Sequence, residues 1–490
     1  MKKKLLCLLL LGVILLCGCS QSNKTKLKNT LTHYDIKCEY NDETKSLSAY
    51  QKVDFFNYTD SVLDNICFHL HANAFRKGAK YGPVSLANYE KAYPNGVSYG
   101  DIQIEKVYLN DKDYEYSICG VDENILKVKL NGELYPNDRI IIEMEYTVQL
   151  ANINHRLGYG ENTISFGNFY PIVCVYEDGD FITQPYSSNG DPFYSKVASY
   201  NVEIIFDNDY TLACTGEFSQ EEQDGKIKAV VSADFVRDFI FILSNKFKVK
   251  KQSVDGVEIK YYYYSDENPD WSLETAVKTL KTNSKLFGEY PYSSLSVVES
   301  NFVHGGMEYP MLVLISDDLP DEDTYQNVIV HEIGHQWWYG VVGNNQYTNG
   351  WLDEGLTEYT TALFYEHNEG YNATKENIIS NAINSYQVFV RIYDSVYGKV
   401  NTDMLRDLSQ YETEPEYVYV SYLKSMLLFD SLRNLIGDKA FFKALKSLYE
   451  EYSFMEIKPE TLIMHFQNST GKDLENFFKS WIEGKVLIMS

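Results

Sequence analysis

The sequence predicts two unlike parts in one chain: an all-β sandwich over residues 31–250, then an α+β, mostly helical domain over 251–490. Three observations carry this. Residues 31–250 hold short β-branched and aromatic runs separated by turn signals such as Asn131-Gly132 and Pro136-Asn137-Asp138. From about residue 270 the apolar spacing changes to the helical period. A chain of 490 residues that is 44% hydrophobic can bury two or three cores.

In the first part, Ile102 to Leu109, Ile125 to Leu130, Arg139 to Leu150 and Tyr200 to Phe206 read as strands. Val230 to Val249 and Val257 to Tyr264 add more, and strands this short and evenly punctuated suggest a sandwich. In the second part Leu273, Val277, Leu280 and Phe287 recur at helical spacing, with Gly288 as a stop. Further helices are expected over 324–342, 352–367, 417–435, 439–449, 459–466 and 474–482.

The first residues read as an address. Lys2, Lys3 and Lys4 precede an apolar run from Leu5 to Leu16, which is shorter than the about 20 residues a spanning helix needs. The run ends in Leu16-Cys17-Gly18-Cys19, which looks like a bacterial lipobox, so residues 1–19 are expected to be a lipoprotein signal with Cys19 lipidated. An ordinary cleaved signal is the alternative. Residues 20–30 carry too little apolar content to pack and read as a tether. The expected location is outside the cytoplasm, anchored to the cell membrane. A formal charge of −25 argues against a nucleic-acid partner, whose phosphates need a basic face. Cys38, Cys67, Cys119, Cys174 and Cys214 are widely spaced without a C-x-x-C pair, so free thiols with at most one bridge are expected.

The chemistry lies in His331-Glu332-Ile333-Gly334-His335. Histidines at i and i+4 project from one helix face and can grip one metal ion, and zinc suits nitrogen ligands. Glu332, one position on, is placed beside the metal as a base for an acidified water. Val328, Ile329, Ile333 and Trp337 give the helix an apolar face. Trp338 and Val341 occupy the positions where a metzincin extension would need Gly and a third His, which excludes that ligand set. A carboxylate from a following helix remains, and Glu354 comes nineteen residues after His335 in Trp351-Leu352-Asp353-Glu354-Gly355. His69 and His71 lack an evident third ligand and read as strand-surface residues, His304 as a loop residue. Asp353 and Glu358 are candidates for orienting the ligands.

These segments resemble the gluzincin aminopeptidases related to membrane alanyl aminopeptidase and leukotriene hydrolase. The resemblance rests on His331 to Trp338, on Trp351 to Gly355, and on Gly305-Gly306-Met307-Glu308-Tyr309, similar to the family's Gly-Ala-Met-Glu-Asn segment. It implies a thermolysin-like catalytic domain with one zinc ion on His331, His335 and Glu354. It further implies that Glu308 binds the free α-amine of a peptide and that Gly305, Gly306 and Met307 line its backbone. Tyr422, in Tyr422-Leu423-Lys424-Ser425, matches the family's oxyanion-stabilising Tyr, with Tyr417 and Tyr419 as rivals. Tyr309, Gly306 and Ser425 depart from the family pattern. The chain stops soon after Trp481, where larger members continue into a helical domain that roofs the cleft, so a more open cleft is expected. The implied activity is aminopeptidase. A zinc endopeptidase, or a non-catalytic binding lipoprotein on the same fold, are the competing readings.

Overall fold

The computed structural model describes residues 19–110, 112–486 and 488. The predicted signal therefore lies outside them, except that Cys19 opens helix α1 (Cys19–Leu27). A tether was expected there. Instead Asn23 donates to the carbonyl oxygens of Glu451 and Ser453, and Lys24 Nζ lies over the rings of Phe235, Tyr292 and Phe454. The polar composition hid this, because the segment is held by hydrogen bonds and cation–π contacts rather than by an apolar face.

The strand-rich half is built on an eight-stranded sheet. Its order is Glu217–Gln223, Lys226–Val236, Ala198–Asp207, Thr32–Asn41, Ser46–Phe56, Arg139–Gln149, Asp101–Leu109 and Lys112–Asp113. Alternate residues of Thr32–Asn41 and Lys226–Val236 are buried, the period-2 pattern of a sheet with one covered face. Two four-stranded sheets, one centred on Ile240–Ser244 and Ile164–Gly167, the other on Leu63–His69 and Ile125–Leu134, and a two-stranded pair, Tyr176–Glu177 with Asp180–Phe181, lie in the same half. The apolar stretch 230–249 contains parts of three strands, because Arg237-Asp238 and Asn245-Lys246 interrupt it.

The second half opens on a five-stranded sheet, in the order Lys248–Val254, Val257–Tyr263, Ser294–Ser300, Leu312–Ser316 and Gly306–Met307. Its three inner strands are parallel, and the two at its centre, Ser294–Ser300 and Leu312–Ser316, are wholly buried, as a parallel sheet covered on both faces requires. Gly306–Met307 is one of its two edge strands. Helices follow: α2 (Pro269–Leu286), α3 (Glu322–Gly334), α4 (Trp351–His367), α5 (Lys375–Tyr397), α6 (Ser425–Ile436), α7 (Asp438–Tyr452), α8 (Pro459–Thr470) and α9 (Glu475–Ile482). Helix α3 ends at Gly334, not at 342, and Tyr339 stands at φ 131 in the turn that follows. The stretch 417–435 is not one regular helix either: Val418–Lys424 is a π-helical segment that runs into α6. Such widened turns recur at functional sites.

Helix packing depends on two glycines. A Cβ on Gly334 would sit 2.9 Å from Thr357 Cγ2, and one on Gly355 would sit 2.2 Å from Ser425 Cβ. Helix α4 is thereby drawn close to α3 on one side and to α6 on the other. Gly355→Ala should lower stability by about 1–3 kcal/mol through overpacking. Ser425→Gly in the same chain should restore much of the loss, since it removes the opposing atom. Thermal melts of the single and double variants check this, and an unchanged melting temperature for Gly355→Ala contradicts the packing account.

Candidate active site

Helix α3 starts on Asp321, whose carboxylate accepts from Thr324 N at 2.8 Å, with Glu322 and Asp323 completing an acidic first turn that favours the positive end of the helix. Three turns on, the His331 and His335 side chains meet, with Nε2 atoms 3.0 Å apart. Helix α4 brings Glu354 Oε2 to 3.3 Å from His331 Nε2 and 3.2 Å from His335 Nε2. One ligand atom from each of these residues fits within 4.8 Å.

The imidazoles are oriented from behind. His335 Nδ1 lies 3.0 Å from the carbonyl oxygen of Trp338, which can only accept. Nδ1 therefore carries the proton and Nε2 presents a lone pair to the centre. His331 Nδ1 faces Glu358 Oε1 at 3.5 Å. Burial alone would raise the Glu354 carboxyl; positive charge on His335 and His331 outweighs it and holds the group down at about 2, and a cation held by the neutral imidazoles would act in the same sense. Its Oε2 is buried with no hydrogen-bond partner. A charged oxygen left unpaired between two imidazole lone pairs is what a cation site requires, and two nitrogens with one carboxylate suit zinc.

Glu332 is 6% exposed, and its Oε2 is likewise buried without a partner. Its other oxygen lies 2.4 Å from where a Cβ on Gly306 would stand, so only glycine lets the edge strand run against this carboxylate. Tyr422 OH donates to Glu354 Oε1 at 2.6 Å, and its ring stacks on His331 at 5.9 Å. Among its rivals, Tyr419 is stacked on Phe389, and Tyr417 packs edge-on against Tyr422 in the cleft wall. The cleft holds about 320 Å³ and is bounded by Asp191, His304, Gly305, Glu332, Glu358 and Tyr422 among others.

Glu308 lies beside the ligand group. It is 3% exposed and accepts from Gln346 Nε2 at 2.8 Å. The same nitrogen donates to Asp353 Oδ2 at 2.7 Å, so Asp353 positions Gln346 rather than a histidine. Burial and the neighbouring Asp191 push the Glu308 carboxyl up to about 8. Oxygens of Asp191, Glu308 and Glu354 fit within 4.8 Å of one another. Asp191 comes from the strand-rich half, where Arg156 Nη1 holds it at 2.6 Å. Sequence reading missed both residues. Asp191 lies 117 positions before Glu308, in a Ser-Ser-Asn-Gly-Asp-Pro turn that carries no motif.

His304 lines the cleft, with Nδ1 3.6 Å from Glu414 Oε1. His69 and His71 are buried and stacked at 4.8 Å, not on a strand surface, and belong to none of the candidate metal groups among the described residues. The five cysteines are free, with Cys119 exposed and the others buried.

Residues 271–481 match the model described as Peptidase family M1 domain. The chain is 30% identical over 196 residues to aminopeptidase B of Mus musculus, covering 38% of this chain and 29% of that protein. It is 28% identical over 226 residues to leukotriene A-4 hydrolase of Xenopus laevis, covering 43% and 33%. The chain thus spans a third or less of the length of these relatives. An M1 zinc metallopeptidase from Deinococcus radiodurans shares the fold, with TM-score 0.65 and 16% identity over 93% of this chain and 94% of that one.

Removing the carboxylate behind His331 should weaken the site without destroying it. Glu358→Gln is expected to reduce zinc affinity roughly 10- to 100-fold. Competition against a chromogenic chelator measures this, and unchanged affinity contradicts an orienting role.

Proposed function

Residues 271–481 belong to peptidase family M1, and from that premise we propose that the protein is a zinc-dependent aminopeptidase that releases N-terminal residues from peptides. The observation that carries the reading is the unpartnered Glu354 Oε2 facing two imidazoles, beside a second unpartnered carboxylate oxygen on Glu332. His331, His335 and Glu354 would hold one zinc ion. Zinc bound there supplies Lewis-acid chemistry, polarising the scissile carbonyl and acidifying water.

The rest is the work of the chain's own residues. Gly306–Met307 is a sheet edge, whose free backbone groups can pair with an extended peptide. The peptide ammonium would sit between Glu308 and Asp191, two buried carboxylates whose mutual repulsion a cation relieves. The carboxylates of Asp191 and Glu308 favour a cationic N-terminus over a blocked one, which supports the aminopeptidase reading over an endopeptidase. Glu332 would take a proton from the attacking water and deliver it to the leaving amine. Burial first, and then the neighbouring Glu308, raise its carboxyl well above the ordinary range, which strengthens it as a proton acceptor. The Tyr422 hydroxyl would turn from Glu354 to donate to the oxyanion, with the π-helical turn setting its reach.

Two finer readings belong to the same proposal. The fold is a β-sandwich joined to a thermolysin-like domain, supported by the sheet orders and the α3–α4 ligand pair. The chain is lipid-anchored through Cys19 at an extracytoplasmic membrane face, a reading supported by Lys2 to Lys4, the apolar run and Leu16 to Cys19. Among the described residues no helix is long and apolar enough to cross a membrane.

Glu332→Gln should abolish hydrolysis while one zinc per chain is retained; full activity would refute the assignment. Tyr422→Phe should lower kcat by roughly 100- to 1,000-fold with KM little changed, the effect typical of losing one oxyanion donor. An unchanged kcat would move the role to Tyr417. Free peptides should be cut and their N-acetylated forms spared. Equal cleavage of both supports the endopeptidase, and zinc binding with no hydrolysis supports a binding protein.

A further inference from the structure

The residue after Glu308 and a residue just past His335 are tied to one side chain in the strand-rich half. Tyr309 OH donates to Asn168 Oδ1 at 2.7 Å, and Asn168 Nδ2 donates to Asp238 Oδ1 at 3.3 Å. The other oxygen of Asp238 accepts from Tyr339 OH. All four side chains are at most 2% exposed. Gln336 closes the circuit on the catalytic side: its Nε2 donates to Tyr309 O at 3.0 Å, and its Oε1 accepts from Met311 N at 2.8 Å. Arg237, next to Asp238, donates from Nε to Tyr339 O at 2.8 Å, so adjacent residues grip both ends of Tyr339.

The backbone is set for this circuit. Asn168 stands at φ 53, which an Asn tolerates, and Tyr339 at φ 131, where a bulky residue is an outlier. Such conformations persist only where the surroundings over-determine them. A Cβ on Gly167 would lie 2.3 Å from Tyr309 OH, so glycine is what admits the hydroxyl to Asn168. Tyr309 is also a departure from the family segment noted above, and the departure has a complete set of partners here.

We propose that Asp238 is a positioning residue that fixes the distance between Glu308 and the metal-ligand helix. The proposal rests on the aminopeptidase reading, in which that distance decides whether an amine on Glu308 leaves the first peptide bond at the metal. Asp238 touches neither substrate nor ligands. It acts on one side through Asn168 and Tyr309, which is bonded in sequence to Glu308, and on the other through Tyr339, at the end of the turn that orients His335. A buried network with its partners satisfied holds one geometry, and the bond from a hydroxyl to an ionised carboxylate is among the stronger kinds. Where that distance is off, a peptide reaches the metal only by giving up part of its contact with Glu308, so the loss falls on binding and raises KM.

The test compares Asp238→Asn and Tyr309→Phe with the unaltered protein on one tripeptide, free and N-acetylated, with zinc content and melting temperature measured alongside. Both variants should keep one zinc per chain, raise KM for the free peptide by about tenfold or more, and keep kcat within about twofold. A merely structural role would lower the folded fraction, which reduces apparent kcat and leaves KM where it was. If Asp238→Asn does not fold, Tyr309→Phe, which loses a single hydroxyl, carries the test. KM unchanged in the folded variants, or a loss confined to kcat, overturns the proposal while the aminopeptidase reading stands. Equal cleavage of free and acetylated peptide by the unaltered protein overturns both.

Discussion

A buried carboxylate held between two imidazoles is the constraint on which the rest of this structure depends. Glu354 is 2% exposed, and a charge in that position persists only with compensation close by. A cation held together with the lone pairs of His331 and His335, whose Nε2 atoms lie 3.3 and 3.2 Å from Glu354 Oε2, would supply it. Bringing these groups together forces α3 and α4 to within the reach of a single side chain, which is why Gly334 meets Thr357 with no room for a Cβ. The surroundings follow from the same demand: Trp338 O and Glu358 fix the rings, and Tyr422 takes the second oxygen of Glu354.

The two halves divide the work. The catalytic half carries the candidate ligands and base on helices, where spacing is rigid. The strand-rich half contributes Arg156 and Asp191 to the cleft, and Arg237 and Asp238 to the turn after α3. Arg237 is 2% exposed and also donates to the carbonyl oxygens of Ser195 and Met455, so it joins both halves through backbone groups. Neither half alone has the carboxylate pair of Asp191 and Glu308.

What was legible in the sequence was what obeys a short spacing. The four-residue interval of His331 and His335 places both on one helix face whatever surrounds them, and Glu354 followed from the need for a third ligand. The alternating strands were legible for the same reason. Features set by distant contacts were not. Helix α5 went unread because Ile378, Ile379, Ile383, Val388, Ile392 and Val396 are β-branched and lie on more than one face, with Val388, Ile392 and Val396 exposed. Helix α3 was read too long because its apolar residues continue through Trp337, Trp338 and Val341 after the backbone has turned at Tyr339. The π-helical turn before α6 depends on packing around Tyr422, and Asp191 on a fold-level approach, so neither leaves a local mark.

The central claim is a ligand set, and zinc X-ray absorption on the full chain tests it most directly. A first shell of two imidazole nitrogens with the remaining ligands oxygen is expected, at roughly 2.0–2.2 Å, with the imidazole count falling from two to one in His335→Ala. Sulfur scattering near about 2.3 Å, or a shell without imidazole, would contradict it.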